Sequence, residues 1–223
     1  MPARVHTIPI AGVCTYLIET ESGLVLVDAG WPRSERYILR RMRALGRSDL
    51  RLIFITHGHL DHYGSAAALR RLTGAPIAIH RADAEFMARG ETPVRSARSW
   101  GRLGRWFLRV GHGREWVEPA SADVLLDDGD DLRAWGLDAR VVHTPGHTPG
   151  SCSLWVERRL LFVGDLLSVN GRPHVQRLYA CDWSQMPSSL ARAQALRPAW
   201  VYPGHTLRPV PGAAFQAVKA GYG

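Results

Sequence analysis

Between Thr56 and Tyr63 the chain runs His57-Gly58-His59-Leu60-Asp61-His62, which puts four metal-ligating side chains into six consecutive residues. Imidazole nitrogen and carboxylate oxygen together suit borderline divalent metals such as zinc, and also iron or manganese. The preceding run Arg51-Leu52-Ile53-Phe54-Ile55 is short, apolar and β-branched, which predicts a buried strand. The following run, from Tyr63 to Leu72, reads as a helix. The cluster therefore stands where a strand ends and a helix begins, the place where open α/β sheets put their sites.

Three further motifs share that plan. His147 stands in the rigid turn Pro145-Gly146-His147-Thr148-Pro149-Gly150, after the alternating run Leu137 to His143. Asp165 closes the apolar run Leu161-Phe162-Val163 through Gly164, and His205 follows Tyr202-Pro203-Gly204. In each case a hydrophobic strand delivers a candidate ligand to a tight loop, so the scaffold fixes it before any metal arrives. Glycine lets the backbone approach closely, and proline restricts the turn. Together with the opening cluster these motifs give seven candidate ligands, enough for two adjacent metals.

The rest of the chain alternates strand-like and helical runs. Strands are predicted over Val5–Ile10, Cys14–Glu19 and Leu24–Asp28, then a helix from Ser34 to Leu45 that Gly46 stops. Pro76 to His80 and Val124 to Leu126 are further strands. Ser151–Val156 and Leu160–Val163 read as a hairpin turning at Glu157-Arg158-Arg159. Met186–Leu196 is helical with Pro187 in its first turn. Ala199–Tyr202 is a last strand, and Ala213–Ala220 a terminal helix. Two β-rich halves, each with helices, predict a two-layer sheet core covered outside by helices.

Residues 81–119 interrupt this texture and read as a helical insertion. Leu103, Trp106, Phe107 and Val110 fall at i, i+3, i+4 and i+7, one helical face, while Arg98, Arg102, Arg105 and Arg109 point mostly elsewhere. That apolar face has three candidate homes: the core, the wall of a substrate pocket, or a homodimer contact.

At 223 residues the chain can bury a full core and is most simply one domain. No apolar run approaches the roughly 18 residues of a membrane span. The first ten residues lack the apolar core and cleavage site of a secretory signal, so the cytoplasm is the expected compartment. Net charge is +8, and Lys219 is the lone lysine among 28 basic residues. The arginines are dispersed without regularly interleaved aromatics, which argues for a solvated surface and against a nucleic-acid partner. Cys14, Cys152 and Cys181 have no CxxC spacing; the first two sit in strand-like runs and read as core residues, whereas Cys181 follows Tyr179 in a loop.

The set His57-x-His59-x-Asp61-His62, His147, Asp165 and His205 resembles the complete ligand motif of the metallo-β-lactamase superfamily. The resemblance implies an α+β, four-layer αββα sandwich of two mixed sheets flanked by helices. It further implies one metal held by His57, His59 and His147, a second by Asp61, His62 and His205, and Asp165 bridging them. Zinc is the first expectation, with Mn2+ and Fe2+ as alternatives. Two such cations hold a shared water as hydroxide at neutral pH, because each lowers its pKa. Asp61 is the expected catalytic residue, orienting that hydroxide and passing a proton to the leaving group. Asp28 and Thr56 are candidates for fixing the histidine tautomers, Thr56 equally for capping a helix.

Substrate is far less constrained. Relatives resembling glyoxalase II add a basic helical C-terminal region, whereas Arg208 and Lys219 are the only basic residues here after His205. Lactonases of the superfamily carry tyrosine three residues after the bridging aspartate, where this chain has Ser168, although Tyr179 can enter from elsewhere. The remaining expectation is hydrolysis of a carboxylic ester, thioester or lactone of a small, anionic substrate. Arg98, Arg102 and Arg105 would meet the anionic group, and Trp100, Trp106 and Phe107 would form an apolar wall. A mononuclear iron sulfur dioxygenase and an RNA phosphodiesterase are the alternatives.

Overall fold

Strand alternation sorts the apolar side chains into three separate layers. In the strand Leu50–Ile55, Leu52 and Phe54 enter one cluster while Leu50, Ile53 and Ile55 enter another. In the neighbouring strand Gly23–Val27, Val25 and Val27 join the first set and Leu24 and Leu26 the second. Across the molecule, Leu160 and Phe162 of the strand Leu160–Gly164 face that first cluster, whereas Leu161 and Val163 face a third. A period of two buried on both faces means that each sheet is covered twice.

The computed structural model describes residues 3–94, 96–97 and 117–220. One sheet has six strands in the order Arg4–Ile10, Val13–Thr20, Gly23–Val27, Leu50–Ile55, Ile77–His80 and Val124–Leu126. Its first two pairings are antiparallel and the other three parallel. The other sheet has five strands in the order Val210–Pro211, Trp200–Pro203, Leu160–Gly164, Cys152–Val156 and Ala139–His143. It is antiparallel except where Leu160–Gly164 runs parallel to Trp200–Pro203. The helices Glu35–Ala44, Ala66–Thr73 and Arg81–Arg89 cover the first sheet with Ile38, Met42, Leu69 and Met87. The helices Met186–Ala195 and Gly212–Gln216 cover the second with Met186, Leu190 and Phe215. The architecture is the expected four-layer αββα sandwich. Among the described residues no helix is long and apolar enough to cross a membrane.

Three local expectations are corrected. The helix expected from Tyr63 to Leu72 is split into Leu60–Tyr63 and Ala66–Thr73. At the break a Cβ on Gly64 would lie 2.5 Å from Pro32, and the Ser65 hydroxyl donates to Trp31 O (2.7 Å) while accepting from Ser34 N (2.7 Å). Those contacts anchor the segment to the loop after Val27 and win over helical continuity. The terminal helix ends at Gln216 rather than Ala220, because Gln194 Nε2 donates to the carbonyls of Phe215 and Val218 (both 2.9 Å). A hairpin, Leu167–Asn170 with Arg172–Val175, stands where no strand was expected. Within the helical insertion, Arg81–Arg89 is helical and Ser96–Ala97 pairs with Tyr179–Ala180. The face of Leu103, Trp106, Phe107 and Val110 lies outside the described residues, as do Arg98, Trp100, Arg102 and Arg105.

Phe162 binds the two sheets together. It stacks on Tyr202 at 4.6 Å and meets Tyr16 edge-on at 5.3 Å, and Tyr16 Oη donates to Pro203 O (2.6 Å) beside the His205 loop. Phe162→Ala is expected to cost about 3–5 kcal/mol, as for a fully buried aromatic. Urea unfolding with an unchanged m-value is the measurement.

Candidate metal centre

The candidate ligands stand at one edge of the sandwich because the strands that carry them end there. Ile55 leads into Thr56 and His57, Gly164 into Asp165, Pro203 into Gly204 and His205, and His143 into the turn that bears His147. Backbone bonds stitch these ends across the two sheets, Cys152 N to Thr56 O (2.9 Å) and Cys14 N to Gly204 O (2.7 Å), and within the second sheet, Gly204 N to Gly164 O (2.9 Å). Gly164 has φ +49°, and a Cβ there would lie 2.6 Å from Thr56 Oγ1. Only glycine lets the strand end close against the histidine cluster.

Two groups of ligand atoms result. His57, His59, His147 and Asp165 form one, and Asp61, His62 and His205 the other, with the atoms of each group within 4.8 Å of one another. Asp165 faces both: its Oδ1 is 3.4 Å from His62 Nε2, and its Oδ2 lies 3.5 Å from His147 Nε2 and 3.2 Å from His205 Nε2.

Every imidazole has one nitrogen anchored outward. His57 Nδ1 meets Thr56 Oγ1 (3.0 Å), His59 Nε2 meets Pro93 O (3.0 Å), and His62 Nδ1 meets Asp28 Oδ2 (2.8 Å). His147 Nδ1 meets Tyr179 O and His205 Nδ1 meets Gly12 O, both at 2.9 Å. A carbonyl or carboxylate partner makes the outer nitrogen the protonated one and leaves a lone pair on the inner one. His57 Nε2 and Asp165 Oδ1 are buried without a hydrogen-bond partner among the described residues. Orphaned acceptors of this kind are costly in a protein interior unless a cation satisfies them. The donor set therefore fits divalent metal ions.

The electrostatics divide along the same line. Burial pushes His57 well down and His147 down to about 3, and it also lowers His59, so these three imidazoles stay neutral. Burial also opposes charge on His62, but Asp28, Asp61 and Asp165 raise it well above the ordinary value. His205 is raised by Asp165 to about 9, against burial. Burial would raise Asp165, yet His205 and His62 hold it well below the usual carboxylate range. The Asp61/His62/His205 side is thus the acidic, proton-holding half of the site. A cation entering it displaces those protons.

Asp28 and Thr56 both lie where tautomer control needs them. Asp28 accepts from Thr56 N (2.8 Å), Thr56 Oγ1 (3.0 Å) and His62 Nδ1, at the left-handed φ of +60°. Thr56 caps no helix. Sequence reasoning missed Asp83. Fully buried, it accepts from Gly58 N (2.7 Å), Thr148 Oγ1 (2.6 Å) and Gly150 N (2.7 Å), tying the His57–His62 loop to the His147 turn. Its only sequence cue is an acidic residue early in a helix, which helix-dipole preference explains equally well. Cys14 and Cys152 are buried in the core, and Cys181 Sγ donates to Pro93 O (3.2 Å).

A cavity of about 500 Å³ opens onto the ligands. Asp61, Asp165, His59 and His205 line it together with Ser168 and Tyr179, and with Trp31, Leu60, Thr92, Val94, Gln176 and Leu178, which sequence reasoning did not single out.

Replacing Asp83 by alanine leaves two buried backbone donors, Gly58 N and Gly150 N, unmatched, Thr148 Oγ1 retaining Ser151 Oγ (2.7 Å), and is expected to cost roughly 2–4 kcal/mol, read by denaturant unfolding. Asp28→Asn is expected to keep the fold while weakening metal affinity roughly 10- to 100-fold, read by competition with a chromogenic chelator.

Comparison with known proteins agrees with this geometry. The family model of the metallo-β-lactamase superfamily matches residues 11–205. A protein of Aquifex aeolicus is 32% identical over 163 residues, 71% of this chain and 67% of that protein. A hydroxyacylglutathione hydrolase of Pseudomonas aeruginosa is 33% identical over 146 residues. That match takes in 65% of this chain and only 42% of the hydrolase. Among solved structures, TTHA1623 in a di-iron-bound form superposes with a TM-score of 0.72 at 26% identity, covering 97% of this chain and 98% of that one. The ligand set, the four layers and the matched length lead to one assignment: the chain belongs to the metallo-β-lactamase superfamily.

Proposed function

We propose that the protein is a dinuclear metal-dependent hydrolase that cleaves a small carboxylic ester, thioester or lactone. The observation that carries this reading is the set of five imidazoles, each anchored by one nitrogen and turned inward by the other, two of which, His59 and His205, line a substrate-sized cavity. His57, His59 and His147 would hold one cation, Asp61, His62 and His205 the second, and Asp165 both. Divalent cations held there would supply a water nucleophile at neutral pH and polarisation of the scissile carbonyl. Zinc is the first candidate for this donor set, and the di-iron form of TTHA1623 keeps iron beside it.

The chain's own groups do the rest. Asp61 lines the cavity with Oδ2 3.5 Å from His205 Nε2 and 3.7 Å from His62 Nε2, placed to hold a proton and pass it to the leaving group. Trp31, Leu60, Val94, Leu178 and Tyr179 exclude water from the acyl part of the substrate. Similarity to a hydroxyacylglutathione hydrolase supports cleavage at an acyl carbon.

Elemental analysis of protein purified without added metal is expected to give about two metal ions per chain, one for each ligand group. A single ion under zinc- or manganese-replete conditions would remove the dinuclear reading. Asp61→Asn is expected to keep the fold and lower hydrolysis of p-nitrophenyl octanoate by roughly 10²–10⁴-fold, with metal content measured on the same sample. Unchanged turnover would take Asp61 out of the mechanism.

A further inference from the structure

Besides the candidate metal ligands, the described cavity wall contains one buried polar side chain, and the backbone dictates its orientation. Gln176 is only 6% exposed and lines the cavity beside Asp61, Asp165 and His205. Its Oε1 accepts two backbone bonds, from Arg177 N at 2.8 Å and Leu178 N at 3.0 Å. Both partners are N–H donors, so the amide can bind them only through its oxygen, and the flip is settled by chemistry. The Nε2 amino group is then fixed on the other side, and no described residue accepts from it. It is not among the buried groups cut off from surroundings, so the space it reaches is the cavity it lines.

The neighbouring wall sharpens what such a donor would recognise. Trp31, Leu60, Val94 and Leu178 are apolar, and the described lining carries no lysine or arginine. Beside the hydroxyls of Thr92, Ser168 and Tyr179, the Gln176 amide is the donor whose direction is set in advance, and a well-placed amide N–H loses most when its acceptor is missing. Loss of freedom on binding is small, since the clasp already holds the side chain.

We propose that Gln176 is a specificity-determining residue that donates from Nε2 to a carbonyl or similar neutral acceptor on the acyl part of the substrate. The favoured substrate class is then an ester, thioester or lactone whose apolar chain carries such an acceptor. This rests on the hydrolase reading for its chemistry but not for its binding.

Two variants separate the donor from the clasp. Gln176→Glu keeps an oxygen for Arg177 N and Leu178 N and replaces the donor with an acceptor. Gln176→Met keeps the side-chain length, remains neutral and removes both the donor and the clasping oxygen. Binding of N-hexylacetamide, a non-hydrolysable chain with one carbonyl, is measured by titration calorimetry on metal-loaded protein. Both variants are expected to bind it roughly five- to tenfold more weakly than wild type. In parallel, the ratio of kcat/KM for p-nitrophenyl N-hexanoylglycinate over p-nitrophenyl octanoate is expected to fall by a similar factor in both. Equal N-hexylacetamide affinities in wild type and both variants, or no binding to wild type, overturn the proposal. If wild type binds the amide with the expected dependence on Gln176 but hydrolyses neither ester, the hydrolase reading fails and the recognition role stands.

Discussion

The site depends on an outward hydrogen bond at every histidine. An imidazole buried without a partner on either nitrogen would pay desolvation twice and would be free to choose its tautomer. Here the outer acceptors are Thr56 Oγ1, Asp28 Oδ2 and the backbone carbonyls of Pro93, Tyr179 and Gly12. They come from five separate stretches of chain, so the inner lone pairs converge only when both sheets and their loops are in place. Thr56 Oγ1 also donates to Asp28 Oδ2, and His62 Nδ1 meets the same oxygen. One carboxylate therefore sets the tautomer of a histidine in each ligand group.

Two buried acids act as pegs for loops that ordinary sheet pairing does not reach. Asp28 takes its bonds from Thr56 and from His62, joining the ends of two parallel strands to the short helix after the cluster. Asp83 reaches from the helix behind Ile77–His80 to Gly58 on one side and to Thr148 and Gly150 on the other. Without it, backbone N–H groups in both ligand loops would be buried unmatched. A Cβ on Gly150 would sit 2.6 Å from the Asp83 carboxyl carbon, so that close approach also requires glycine. Neither acid needs to touch a metal to decide where the ligands stand.

Much of this was legible in the sequence because it is written locally. Alternating and continuous apolar runs fix strands such as Leu50–Ile55 and Leu160–Gly164, whose two faces feed different cores. The four motifs that end in His, Asp or Gly-His are short and contiguous, so their chemistry shows without the fold. Asp83 was not legible, since its partners lie 25, 65 and 67 residues away. The hairpin Leu167–Val175 was missed because its residues alternate poorly, and Asn170-Gly171, a common hairpin turn pair, is the signal that locates it. The break after Tyr63 was illegible for another reason: helix propensity there is outweighed by contacts to Trp31, Pro32 and Ser34 from a distant loop.

The same segments that shape the cavity also anchor the ligands, and the way they do so matters for how specificity can vary. Thr92 and Val94 line the cavity, and between them Pro93 holds His59 through its carbonyl. The Tyr179 side chain lines the cavity while its carbonyl holds His147. Because each of these anchors is a backbone oxygen, the side chains beside it can be exchanged without removing the bond that positions the histidine. Gln176 follows the opposite rule: its side-chain oxygen clasps the backbone of the next two residues, so its identity sets both the local turn and the polarity presented to the cavity. The wall is therefore permissive at positions 94 and 179, and restrictive at 92, where Thr92 Oγ1 accepts from Leu60 N (3.3 Å), and at 176. The histidine anchors and the side chains presented to the cavity can change independently at 94 and 179, whereas at 176 only a residue that keeps the accepting oxygen preserves the loop that carries Tyr179.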